Sequence, residues 1–335
     1  MKKTININPK NKKLALFYAE ASLKIGTGHI MRCLVLAKFL SKKGWNCKFV
    51  SSQESYELIP NLRDFDKIKP SEMEKNPITN DLLVFDNYQI DIEYEKKFRA
   101  YSKIIMVIDD LSNRSHQCDI LIDQNLGSKK DDYNNLVNQD CKILAGSSYA
   151  LLRKEFFETR NKSLEKRKNT TNIKKILVNF GGSDLKNHSL KALKEIENSS
   201  FNGDIEVVLG FKSPNLKEIQ EFSKSSRNNI KIHNLANMAQ IIHECDLAIA
   251  AGGSSAWERC CLGLPTYVIK IADNQDKIYQ ELGFAGSFNE FLEYSQQNYQ
   301  KLSLKLSNYV DGMGTERVYK EIEFICNSCV EFNIN

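Results

Sequence analysis

Apolar and polar positions alternate in blocks along this chain. Leu14–Ala19 is an uninterrupted apolar run, and the stretch after it, 30–43, carries apolar residues at Leu34, Leu36, Ala37 and Leu40, the spacing of one helical face. A buried strand followed by an amphipathic helix is a βα unit. Short apolar runs return at 47–50, 82–85, 104–108 and 120–122, with helical stretches between them. Strands this short, with no polar alternation, are covered on both faces, which predicts a mostly parallel sheet in an α/β fold. Asp86, Asp109 and Asp110 stand at the carboxyl ends of such runs, where ligands of parallel sheets bind.

The pattern breaks between 153 and 175. Arg160-Asn161-Lys162 and Lys166-Arg167-Lys168-Asn169 fall there and core-forming runs disappear, so the stretch reads as a solvated helix and linker. Apolar runs then restart at 176–180, with further strands expected at 205–209, 230–233, 247–250 and 265–269. The expected organisation is a first domain over 1–158, a polar linker over 159–174 and a second domain over 175–335. Each sheet opens with a glycine-rich turn after its first strand, which points to two parallel-sheet domains facing across a cleft.

Composition narrows the function classes. With 335 residues, 41% hydrophobic and 27% charged, the chain is long enough for two cores and ordinary for a globular protein. The net charge of +5 is the small excess of 47 Lys+Arg over 42 Asp+Glu, and no basic block is interleaved with aromatics. That argues against a nucleic-acid partner and fits a nucleotide-sized anion better. No segment approaches eighteen consecutive apolar residues, so no membrane insertion is expected. The nine cysteines are scattered, and with no signal-peptide pattern in the lysine- and asparagine-rich start they fit reduced thiols and a cytoplasmic protein. Cys326 and Cys329 have metal-ligand spacing but lack a second pair, so no metal is expected there.

Candidate chemistry begins at Gly26-Thr27-Gly28-His29-Ile30-Met31-Arg32-Cys33, a strand-to-helix turn. Gly26 and Gly28 permit a sharp turn and close approach of a ligand, and the following helix presents free N–H groups. His29 is then either a structural residue of a capping loop or a neutral imidazole serving as general base. Gly252, Gly253, Ser254 and Ser255 follow another strand and suit a diphosphate, with Glu258 one turn later able to accept from ribose hydroxyls. Gly181, Gly182, Ser183 and Asp184 form the matching loop of the same domain. Neither loop is a Walker motif or a dinucleotide fingerprint, which disfavours ATP hydrolysis and hydride transfer. Asn274 and Gln275, after a buried strand, suit acetamido and hydroxyl groups of a sugar or simply belong to a helix cap. Tyr88 would line the same pocket or be an ordinary core aromatic. Asp109 and Asp110 read as capping residues rather than a metal pair. His116, His188, His233 and His243 have no partner at a diagnostic spacing, and no Gly-x-Ser-x-Gly elbow of a serine hydrolase occurs.

With these motifs in hand, the chain resembles the UDP-2,4-diacetamido-2,4,6-trideoxy-β-L-altropyranose hydrolases of pseudaminic acid biosynthesis. The likeness runs through IGTGHIMRCL (25–34), VIDDL (107–111) with Arg114, CDILIDQN (118–125), YALLR (149–153) with Glu155 and Phe156, FGGSD (180–184), GGSSAWER (252–259), ADNQ (272–275) and DGMGTER (311–317). Leu185 departs from the proline that often follows the Gly-Gly-Ser-Asp loop (181–184). The resemblance implies a GT-B-like fold similar to the N-acetylglucosamine transferase of peptidoglycan synthesis. It implies that His29 is the general base for a water attacking C1, with inversion, C–O cleavage and release of UDP, and with no cofactor or required metal. The substrate partner it implies is a UDP-linked 6-deoxy-diacetamido sugar. Gly182, Gly252, Gly253, Ser254, Ser255 and Glu258 would hold UDP, and Gly26, Gly28, Arg32, Tyr88, Ser183, Asn274 and Gln275 would line the sugar side. Three alternatives remain open at this point: a GT-B glycosyltransferase using a UDP-sugar donor, a hydrolase acting on a related UDP-diacetamido sugar, and a protein that binds a nucleotide sugar without turnover.

Overall fold

A computed structural model of the chain describes residues 12–182, 184–210, 213–234 and 236–331, with the side chains of Asp273 and of 329–331 outside the description. Ser183 and the Cys329 thiol therefore lie outside the described residues. Seven strands form the first sheet: β1 (Leu14–Ala19), β2 (Asn46–Val50), β3 (Asp66–Ile68), β4 (Asn80–Asp86), β5 (Ser102–Ile108), β6 (Ile120–Asp123) and β7 (Lys142–Ala145). Five form the second: β8 (Lys175–Asn179), β9 (Asp204–Val208), β10 (Asn229–His233), β11 (Leu247–Ala251) and β12 (Thr266–Ile269). The strand pairs are parallel throughout both sheets, as the unbroken apolar runs predict.

The spatial orders are β3-β2-β1-β4-β5-β6-β7 and β10-β9-β8-β11-β12. In each sheet the chain moves outward from its first strand, then returns to that strand's other flank. The loops leaving β1 and β4, and those leaving β8 and β11, consequently diverge and open a crevice at each reversal point. Every functional motif of the sequence lies on one of these loops or just beyond a neighbouring one.

The central strands alternate their side chains between two covered faces. Ala15, Phe17 and Ala19 of β1 join Leu82, Val84, Ile104 and Met106 on one face, while Leu16 and Tyr18 join Leu83, Phe85, Ile105 and Val107 on the other. The last helix, Gly314–Glu331, does not stay with the second sheet. Its Val318 and Ile322 are buried in the first of those two clusters, beside the helix Gly28–Lys42. Thr315 donates to the Leu152 carbonyl at 3.0 Å. The chain's end thus returns to the first lobe.

The polar stretch expected as solvated linker is the helix Lys154–Asn169, and its polarity has a different cause. Arg160 donates to the carbonyls of Ser307 and Val310, Ser163 to Leu262, and Arg167 to Ile242, Cys245 and Leu262. Ser163 and Arg167 are buried. These side chains satisfy carbonyls at the ends of helices and turns in the second lobe, so the helix is fastened by hydrogen bonds in place of an apolar stripe.

Candidate active site

Gly26 has φ of 88°, the left-handed region, and closes a tight loop through its N–H to the Ser22 carbonyl at 2.8 Å. The loop delivers His29 as the second residue of the helix Gly28–Lys42, directly above the end of β1. β4 is the neighbour of β1, with Ala19 in register with Asp86. That pairing sets the Asp86 carboxylate under the imidazole. His29 Nδ1 donates to Asp86 Oδ1 at 2.5 Å, and one helical turn on, Arg32 donates from Nε and Nη2 to the two oxygens of the same carboxylate, each at 2.6 Å.

Asp86 is completely buried, and His29 and Arg32 are nearly so. Burial by itself would raise the Asp86 carboxyl, but Arg32 and then His29 outweigh it and hold the group well below the usual carboxylate range. A carboxylate that stays ionised can only accept, so Nδ1 of His29 carries the proton of this bond, and Nε2 is the ring nitrogen left to accept one. Burial would likewise lower the Arg32 guanidinium, and Asp86 and Asp110 reverse that, holding it above its ordinary value.

Asp110 extends the network to the other lobe. It accepts from Arg32 Nη1 at 3.0 Å and from the Tyr88 hydroxyl at 2.5 Å. The Tyr88 ring stands edge-on to the His29 imidazole with centroids 4.7 Å apart, and the Arg114 guanidinium lies 5.8 Å from its centroid. Burial and then Asp110 push the Tyr88 hydroxyl above its ordinary value. From across the cleft, Asn274 Nδ2 donates to the Tyr88 oxygen at 3.2 Å.

The lobes approach closely at their glycines. A Cβ on Gly28 would lie 3.4 Å from Ser254 Oγ, and one on Gly182 would lie 2.8 Å from Thr27 Oγ1. A side chain at Gly182 would have to displace Thr27 of the opposing lobe, whereas a Cβ at Gly28 would stand in van der Waals contact with Ser254. The loop after β11 supplies Gly252, Gly253, Ser254 and Ser255, with Glu258 in the short helix Ser255–Cys261. Burial raises the Glu258 carboxyl against the opposing pull of Arg153, whose Nη2 donates to it at 3.1 Å.

The structure thus brings His29, Arg32 and Tyr88 into one cluster with Asn274 and sets Gly28 against Ser254. Two expected residues turn elsewhere. Arg32 gives its donors to Asp86 and Asp110, and Gln275 accepts from the Ile271 N–H at 3.0 Å, with its amide beneath Gly253. Asp109 accepts from the N–H groups of Leu111 and Ser112, the capping role read from sequence, whereas Asp110 does not cap and faces the site. Asp86 as the partner of His29 went unread. Its position at a strand's carboxyl end was visible, but the β1–β4 adjacency that joins them was not.

Two parallel-sheet lobes facing across a cleft, with a glycine-rich loop on each side, make this a GT-B-type protein. Acinetobacter baumannii MurG superposes on 93% of the chain and 99% of its own with a TM-score of 0.64 at 12% identity, a likeness of fold. No family model matches the chain. A Campylobacter jejuni UDP-2,4-diacetamido-2,4,6-trideoxy-β-L-altropyranose hydrolase is 31% identical over 277 residues, 78% of this chain and 93% of that protein. An uncharacterised protein of Methanocaldococcus jannaschii is 29% identical over 283 residues, 80% of this chain and 58% of its own length. The chain belongs to the UDP-2,4-diacetamido-2,4,6-trideoxy-β-L-altropyranose hydrolase family. Among the described residues no helix is long and apolar enough to cross a membrane.

Proposed function

We propose that the chain hydrolyses UDP-2,4-diacetamido-2,4,6-trideoxy-β-L-altropyranose, or a UDP-linked diacetamido sugar closely related to it, to UDP and the free sugar, the activity in the Campylobacter jejuni relative's name, and that it does so in pseudaminic acid biosynthesis, as the motif resemblance implies. The observation that carries the chemistry is the 2.5 Å bond from His29 Nδ1 to a buried, Arg32-paired Asp86, which leaves Nε2 as a proton acceptor in the cleft. In this reading Nε2 removes a proton from a water molecule, the water oxygen bonds to C1 from the face opposite UDP, and the C1–O bond breaks with its electron pair leaving on the β-phosphate. The departing UDP is already an anion and needs hydrogen-bond donors more than a proton. General-base assistance of this kind is worth about 10²- to 10⁴-fold.

Roles divide between the lobes. The first, 1–158, takes the sugar and the chemistry, with Tyr88 and Gly26 at the pocket, Gly28 allowing the close approach, and Arg32 acting through its carboxylates. The second, built on β8–β12, takes UDP at Gly182, Gly252, Gly253, Ser254, Ser255 and Glu258, and lends Asn274 to the sugar side, while Gln275 is engaged by the Ile271 N–H. Ser183, which lies outside the described residues, is assigned to the sugar side in this scheme. Incubating the enzyme with the sugar nucleotide in H2 18O, without any acceptor, and following the anomeric proton by NMR tests the reading. Expected are UDP release, inversion at C1 and label in the sugar alone. His29→Ala should abolish release while UDP still binds. Release that requires an added acceptor would make the protein a transferase, and unchanged substrate would make it a binder.

A further inference from the structure

Three arginines are buried, and their partners differ in kind. Arg32 meets two carboxylates. Arg167 is surrounded by carbonyl oxygens and the Tyr299 hydroxyl. Arg259, 2% exposed, has neither arrangement. Its Nη2 donates to the Ala251 carbonyl at 2.7 Å, its Nη1 to Ser255 Oγ at 3.0 Å, and its Nε has no partner. No carboxylate among the described residues forms an ion pair with it; Glu258, the adjacent acid, reaches to Arg153. A guanidinium enclosed in protein without a counter-ion is costly unless a charge missing from the free protein completes it. Burial lowers it to about 10, against the weaker pull of Cys260 and Glu258, so it remains a cation at neutral pH.

Its two bonds bracket the loop that follows β11, Ala251 being the last residue of the strand and Ser255 the first of the helix. Because a guanidinium has only donors, the Ser255 oxygen is engaged as an acceptor, and the hydroxyl proton must point away from Arg259. We propose that Arg259 is a positioning residue for the nucleotide diphosphate: it supplies the positive charge beneath the Gly252–Ser255 loop and fixes Ser255 as a donor toward the phosphate oxygens. This rests on the assignment of UDP to that loop. It extends that assignment to the reaction, because UDP in the sugar nucleotide carries two negative charges and free UDP approaches three. A fixed cation therefore favours the leaving group over the bound substrate, and its removal acts on turnover and on product binding more than on KM.

The test is calorimetric binding of UDP, with NMR titration of uridine, on the full chain and on Arg259→Met and Arg259→Lys. One charge acting through one charge-assisted hydrogen bond predicts a loss of about ten- to a hundred-fold in UDP affinity for Arg259→Met. Uridine binding should stay unchanged, and Arg259→Lys should recover most of the loss. In steady state, kcat and UDP inhibition should weaken by more than KM changes. UDP affinity within threefold of wild type in a folded Arg259→Met overturns the proposal. If that variant does not fold, Ser255→Ala decides: the proposal requires weaker UDP binding with uridine unaffected, and wild-type UDP affinity overturns it. A wild-type chain that binds no UDP is a different failure, which removes the nucleotide assignment itself.

Discussion

Replacing Asp86 by asparagine keeps the volume, removes one charge and turns one acceptor oxygen into a donor. In the native protein both oxygens are engaged: Oδ1 by His29 and Arg32 Nη2, Oδ2 by Arg32 Nε. An amide cannot serve both sides. If its NH2 faces His29, it donates to Nδ1, the ring proton moves to Nε2 and the base is lost. If it faces Arg32, two donors meet in a site with no solvent access, and the Arg32 guanidinium, left with Asp110 as its one carboxylate partner, sits beside the imidazole and opposes its taking a proton. Either way the proton-accepting function fails, so kcat should fall by about 10²- to 10⁴-fold, or roughly 2.7 to 5.4 kcal/mol at 1.36 kcal/mol per decade. UDP affinity should hold, because the Gly252–Ser255 loop belongs to the other lobe. Breaking a buried pair from one side costs about 3–5 kcal/mol, and Arg32 retains Asp110 at 3.0 Å, so the loss of stability should lie toward the lower figure.

The same variant carries a pH signature. Because the folded-state value of Asp86 is depressed, its contribution to stability is fully present above the ordinary carboxylate value of about 4 and is lost as pH falls below it. The asparagine variant should lack that part of the acid slope. UDP release is measured at saturating substrate, UDP binding by calorimetry and folding by urea titration at pH 7 and pH 3. A folded Asp86→Asn enzyme with kcat within threefold of wild type would refute the tautomer argument.

Other perturbations address separate parts of the molecule. Glu258→Gln should weaken UDP binding by about tenfold if this carboxylate accepts from ribose hydroxyls, and calorimetry showing unchanged affinity would remove it from the nucleotide site. Arg167→Met strands the Ile242 carbonyl in the interior and leaves that of Cys245 to Lys166 alone; at about 1–3 kcal/mol for an unsatisfied buried group, urea unfolding should register a loss of about that size. His243 is buried with Nδ1 unpartnered, and burial, followed by Lys162, Arg167 and Lys166, depresses it while Glu244 pulls the other way. Its contribution is therefore complete above about pH 6.5 and declines below it, so His243→Asn should flatten the fall in melting temperature between pH 7 and pH 5.

Reading the sequence recovered the strands that are covered on both sides and missed two that are not. β3 and β7 are the edges of the first sheet, three and four residues long, with exposed and half-buried positions among so few residues that no apolar run forms. The helix Lys154–Asn169 was legible as a helix, but its role was not, since nothing in a run of Arg, Lys and Asn distinguishes solvated side chains from ones bonded to distant carbonyls. The same limit applies at the site. His29, Tyr88 and Asn274 stand in motifs, so their importance can be read locally. The pairing of His29 with Asp86 spans 57 positions, and it depends on β4 returning beside β1, a fact of sheet order. Gly28 is similar: its turn context was visible, whereas its approach to Ser254 of the opposite lobe, 3.4 Å from where a Cβ would stand, was not.

Arg32 resolves a conflict between these carboxylates and the proposed chemistry. A lone carboxylate about 4 Å from an imidazolium attracts it by about 4 kcal/mol at an effective dielectric of 20, enough to keep the ring protonated at neutral pH and useless as a base. It would also repel an incoming diphosphate. With Arg32 bidentate on Asp86 and bonded to Asp110, the carboxylate still orients Nδ1 while most of its field is cancelled within the same cluster. Arg32→Gln should therefore leave His29 oriented but charged, moving the acid limb of the rate profile upward and restoring activity only as pH rises. Such recovery at high pH separates lost charge balance from lost structure, because a misplaced imidazole would stay inactive across the whole range.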